Sequence, residues 1–134
     1  MKTLLAFACL VLGTGLYLVA DQGPALAEGA TCWLVYYVSS GPPDSADEVI
    51  CLTSPTEGYI RETSIFGDVQ GCNRVTVNRS GEAMDFIVDY SKCENNAPNH
   101  SISCPSTPGA RLKCVWHMLD NSQQPSDAYL EREK

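Results

Sequence analysis

Between Gly71 and Cys93 hydrophobic and polar positions alternate. Val75 and Val77 alternate with Arg74, Thr76 and Asn78. After a break, Met84, Phe86, Val88 and Tyr90 alternate with Asp85, Ile87 and Asp89. A period of two belongs to a sheet with one face on a core. Arg79-Ser80-Gly81-Glu82 joins the two runs, and Gly81 can take the positive φ of a tight hairpin turn. The pattern predicts two antiparallel strands here.

Elsewhere Pro and Gly cut the chain into short segments rich in Val, Ile, Tyr and Phe, which favours strands. Thr31–Val38 is apolar on both faces and predicts a well-covered central strand. Ser39–Asp47 reads as a turn, because its two prolines cannot donate to a ladder. Glu48–Leu52 and Tyr59–Glu62 read as strands, Phe66–Gly71 as a loop and Glu94–His100 as a polar loop. Ser101–Cys104 and Ala110–Leu119 read as two further strands around "PSTPG". From Asp120 onward few apolar anchors remain, so a frayed polar tail is expected over 120–134, with a helical turn over Ser126–Lys134 as the alternative. The fold class expected is all-β: a small disulfide-stapled antiparallel sandwich or partly open barrel after an N-terminal signal peptide.

The start of the chain sets the compartment. Lys2 is followed by an uncharged apolar run, Leu4–Ala20, and then by Ala25-Leu26-Ala27. A basic start, an apolar segment and a small-x-small site form a secretory signal, with cleavage expected after Ala27. The rival reading is a retained membrane anchor, since the run is near the lower length limit for a span. Gly13, Gly15 and Pro24 weaken a long helix, and the Ala25-Leu26-Ala27 site favours cleavage. The organisation expected is a signal peptide over 1–27, a β domain over 28–119 and a tail over 120–134. Secreted or periplasmic localisation follows.

Beyond residue 27 the cysteines are Cys32, Cys51, Cys72, Cys93, Cys104 and Cys114. An even set behind an export signal reads as three disulfides. No pair has Cys-x-x-Cys spacing, and only His100 and His117 could add nitrogen ligands, so no metal site and no cofactor are expected. The net charge is −7. That disfavours nucleic acid and anionic lipid as partners, and leaves an unknown protein or small-molecule ligand. The membrane enters only through the signal segment, if it stays uncleaved.

Ladder geometry tests the pairings. A turn centred on Gly41-Pro42 sets Cys32 opposite Cys51 and Leu34 opposite Val49, which favours a Cys32–Cys51 bridge. A turn centred on Ser80-Gly81 sets Cys72 opposite Asp89 and leaves Cys93 about 13 Å further along. A bridge needs Cα atoms within about 7 Å, so a regular hairpin forbids Cys72–Cys93. Either a bulge or break intervenes, or each cysteine reaches another strand. Cys104 and Cys114 flank a turn and could bridge locally, which would leave Cys72 and Cys93 to each other against the ideal ladder.

"ICLTSPTEG" followed by "GCNRVTVNRSGEAMDFIVDYSKC" resembles a family of small exported proteobacterial proteins of unknown function. The shared features are Cys51-Leu52-Thr53 with a following proline, then Cys72, the Ser80-Gly81 turn and Cys93. Here Ser54 is inserted before Pro55, and the Cys104–Cys114 segment replaces the family's glycine-rich C-terminal strands. The resemblance spans Ile50–Cys93. It implies an exported β-rich domain and carries no catalytic residue.

Candidate chemistry is sparse. His100 reads as a surface histidine in a polar loop, and His117 as a histidine at the edge of the core. A hydrolase would require His117 within hydrogen-bond reach of a serine and an acidic residue, and no nucleophile motif is present. Asp85 and Asp89 share one face of a strand at a spacing of ~13 Å, too wide for a glycosidase pair, and read as a solvated face. Asn78-Arg79-Ser80 and Asn99-His100-Ser101 fit the N-glycosylation pattern, which counts only in a eukaryotic secretory pathway. Trp33, Tyr36, Tyr37 and Trp116 form an aromatic set expected to fill the core. The function expected is non-enzymatic binding by a small secreted or periplasmic envelope protein. A host-directed inhibitor or toxin is the first alternative and a small hydrolase the second.

Overall fold

The computed structural model describes residues 30–38, 45–107 and 109–134. Eight strands follow one another: β1 (Thr31–Tyr37), β2 (Glu48–Leu52), β3 (Glu57–Thr63), β4 (Arg74–Ser80), β5 (Ala83–Asp89), β6 (His100–Pro105), β7 (Arg111–Met118) and β8 (Ser126–Arg132). Each pairs antiparallel with its sequence neighbour, and β8 pairs back onto β1, so the sheet closes into an up-and-down barrel. The all-β expectation is met by the barrel alternative, and the barrel is closed rather than partly open. The predicted signal segment, residues 1–27, and most of the Ser39–Asp47 turn lie outside the described residues.

Closure depends on β8. The tail expected over 120–134 is corrected here: Tyr36 pairs with Tyr129 on one side, and Cys114 with Ala128 on the other. Ala128 and Leu130 are fully buried, so two inward-facing apolar residues suffice once both neighbours are present.

Alternation sorts the side chains. Val35, Ile50, Ile60, Val75, Val77, Phe86, Val88, Ile102, Leu112 and Leu130 face inward and are buried. An eight-stranded barrel is just wide enough for such residues to fill it. Each contributes roughly 1.5–3 kcal/mol by leaving water. Arg74, Asp85, Lys113 and Asp127 sit on the opposite, outward set. Apolar inside and charged outside is the reverse of a lipid-embedded barrel.

The β1–β2 register agrees with the ladder argument: Cys32 faces Cys51, Leu34 faces Val49, and the first two are bonded. The β4–β5 register needs a correction. Arg74, not Cys72, faces Asp89, and the turn falls at Gly81-Glu82, with Gly81 at φ +55°. Cys72 and Cys93 are nevertheless bonded, with Cα atoms 5.0 Å apart. Both lie past the end of the ladder. Gly71 bends the chain at φ +74°, and a turn closed by Cys93 N–H on the Tyr90 carbonyl (2.8 Å) carries Cys93 back. The prohibition applied to straight strands, and these segments are not straight. Cys104–Cys114 links adjacent strands on the inner face.

The thinnest seam is β3–β4, which share only two paired positions, Glu57–Thr76 and Gly58–Val75. Asn73 extends it with a side chain in place of a strand: Oδ1 accepts from Ile60 N–H (2.7 Å), and Nδ2 donates to Ile60 O (3.0 Å) and to Val69 O.

Candidate functional site at the two barrel ends

The short connections 53–56 and 81–82, with residues 106–107 and 109–110, gather at one end of the barrel, here the lower. The connections 64–73, 90–99 and 119–125 gather at the upper end.

The upper end holds a buried polar cluster. Glu48 opens β2 in phase with Ile50 and Leu52, so its carboxylate points into the barrel, where it is fully buried. Tyr37 Oη donates to Oε2 (2.7 Å) and Tyr90 Oη to Oε1 (2.8 Å). His100 Nε2 lies 3.3 Å from Oε2 and 3.3 Å from Tyr37 Oη. His100 Nδ1 lies 3.2 Å from the Pro98 carbonyl. A carbonyl only accepts, so Nδ1 carries a proton. Nε2 faces two oxygens, Glu48 Oε2 and Tyr37 Oη. A buried carboxylate is costly unless hydrogen-bonded, and here two phenols donate to it while the His100 ring lies alongside. Burial first, and the Glu48 charge second, push the Tyr37 and Tyr90 phenols far above their ordinary range.

His100 is therefore not the surface histidine expected. It is fully buried at the start of β6, because the closed barrel turns its side chain inward to meet Glu48 of β2 across the interior. The aromatic set also divides. Tyr37 and Trp116 meet at the upper end with centroids 5.4 Å apart. Trp33 sits at the lower end, and Tyr36 faces outward opposite Tyr129. A cavity of about 360 Å³ at the upper end is lined by Tyr37, Phe66, Trp116 and Met118.

The lower end has different chemistry. A cavity of about 570 Å³ is lined by Trp33, Leu52 and Met84, by Thr31, Thr53 and Ser54, and by Arg79 and Arg132. Both arginines occupy inward-facing positions. Arg79 follows Val75 and Val77 in the β4 alternation, and Arg132 follows Ala128 and Leu130 in that of β8. Sequence reasoning stopped the β4 pattern at Val77 and assigned Arg79 to a turn. Carrying the alternation two residues further would have shown a cation in core phase.

His117 lies on β7 opposite Ser101, whose Oγ is 3.1 Å from both ring nitrogens. Among the described residues no carboxylate hydrogen-bonds this histidine. The pair meets one of the two hydrolase requirements and lacks the other. Asp85 and Asp89 face Asn78 and Arg74 across the hairpin. Asn78 is exposed on β4. Asn99 is half-buried, and its Oδ1 accepts from Tyr90 N–H (2.7 Å). Among the described residues no cluster of three metal-ligating side chains occurs, and no helix is long and apolar enough to cross a membrane. Three disulfides accord with folding in an oxidising compartment.

Compared with family models, curated proteins and solved structures, the chain shows no match.

Proposed function

We propose that this chain is a non-enzymatic binding protein, secreted or periplasmic, whose disulfide-stapled barrel takes a small organic ligand in its lower mouth. The observation that carries the reading is the lower cavity itself. The packed interior ends at Trp33, Leu52 and Met84, and the next inward positions on β4 and β8 are arginines rather than core residues. Barrel mouths with an apolar floor and a few convergent polar groups are common ligand sites. The export signal read from residues 1–27 and the three disulfides support the compartment.

The chain's two tryptophans lie at opposite ends, which makes the test direct. In Trp116→Phe, Trp33 reports the lower mouth alone; in Trp33→Phe, Trp116 reports the upper end alone. A neutral apolar probe, N-phenyl-1-naphthylamine, is expected to quench Trp33 saturably and to leave Trp116 unchanged at the same concentrations. Non-saturable, equal quenching of both would refute the reading.

A second reading, an inhibitor or toxin acting on another protein, draws on three exposed aliphatic side chains near the upper end: Val38, Ile65 and Leu119. It uses the other end of the barrel, so the same pair of variants separates the two.

A further inference from the structure

We infer that the lower mouth selects an amphipathic organic anion, with the apolar body on Trp33, Leu52 and Met84 and the anionic head group held between Arg79 and Arg132. This rests on the reading of that mouth as a binding site and adds the class of ligand.

Placement comes first. β4 and β8 stand on opposite sides of an eight-stranded ring, yet both arginines line one cavity. Each reaches it from an inward-facing strand position, where burial of a core residue would be the ordinary outcome.

Charge comes second. Four cations of the outer face have acidic partners: Arg61 with Glu133, Arg74 with Glu57, Arg111 with Glu131 and Lys113 with Asp127. The chain carries 16 acidic residues against 9 basic ones, so carboxylates are plentiful. Even so, among the described residues neither Arg79 nor Arg132 has a carboxylate within ion-pair distance, and no acidic residue lines the cavity. The mouth therefore carries two positive charges and no negative one on an otherwise acidic chain, a local field that favours an anion.

Shape and chemistry come third. A guanidinium presents paired N–H donors that fit a carboxylate, sulfonate or phosphate. Thr31, Thr53 and Ser54 add hydroxyls to the cavity wall. The apolar floor requires more than a bare inorganic ion, and about 570 Å³ lies within the ordinary range for a small organic ligand.

The experiment compares two probes of similar ring size on the oxidised protein carrying Trp116→Phe. One is 8-anilinonaphthalene-1-sulfonate, an anion; the other is neutral N-phenyl-1-naphthylamine. The anion is expected to bind more tightly, to weaken as salt is raised, and to lose roughly tenfold in affinity for each of Arg79→Gln and Arg132→Gln. The neutral probe should bind all variants alike. Both side chains are exposed, so the variants should unfold at the parent's temperature. If a variant does not fold, the salt dependence of the parent decides. Saturable binding of the neutral probe, with the anion no tighter and indifferent to both arginines and to salt, would overturn the inference and leave the binding reading standing. Failure of both probes at Trp33 would remove the binding reading itself.

Discussion

Tyr90 and Glu48 stand 42 residues apart in the chain and meet inside the barrel, the phenol donating to carboxylate Oε1 at 2.8 Å. Tyr37 takes the other oxygen, and His100 closes the group. Four elements, β1, β2, the end of β5 and β6, are thereby tied at one point that excludes water.

Tyr90→Phe removes one donor from a buried carboxylate and should cost about 1–3 kcal/mol at neutral pH. It should also change the alkaline limb. Both phenols stay protonated in the folded barrel, whereas unfolded tyrosines ionise near pH ~10. Above that pH the folded state holds protons that the unfolded state has released, so stability falls as pH rises. Each phenol contributes a slope of about 1.4 kcal/mol per pH unit. Urea midpoints across the alkaline range should show the slope from this pair halved in Tyr90→Phe, and an unchanged slope would contradict the argument.

Leu130 lies in the segment whose composition suggests a tail, yet it is fully buried between β1 and β7. Leu130→Ala should cost about 2–5 kcal/mol, the range for a core cavity. Thermal unfolding by circular dichroism measures it. A frayed tail would show almost no change.

Replacing Cys72 and Cys93 with alanine removes a link between two upper connections, outside every ladder. The chain-entropy expectation for a loop of this length is a loss of about 3 kcal/mol. Because strand pairing does not depend on the bridge, the oxidised variant should keep its β spectrum. Hydrogen exchange should rise in 64–73 and 90–99 and hardly at all in β6 and β7. Collapse of the whole spectrum would show that the bridge holds the barrel together.

Asn73→Ala should open the β3–β4 seam. It strands the partly buried Ile60 N–H and carbonyl and should cost about 1–3 kcal/mol. Asn73→Asp keeps the acceptor for Ile60 N–H but sets a carboxylate oxygen against the Ile60 and Val69 carbonyls, so it should be no more stable than the alanine variant. Equal stability of all three would show that the side chain does not carry the seam.

What the sequence alone determined is local. A strand repeats every two residues, so Val75, Val77, Met84, Phe86 and Val88 declare their face without knowledge of the rest of the chain. The Cys32–Cys51 pairing followed because both residues lie within one regular ladder. Tertiary structure decided what depends on distant partners. The register of β4–β5 and the Cys72–Cys93 bridge turned on bends beyond the strand ends, where alternation carries no information. β8 is polar by composition and becomes a strand because closure supplies β1 and β7 on its two sides. His100 is buried because Glu48, 52 residues away, offers it a carboxylate. Arg79 and Arg132 share a mouth only because the ring closes, an event that no local pattern encodes.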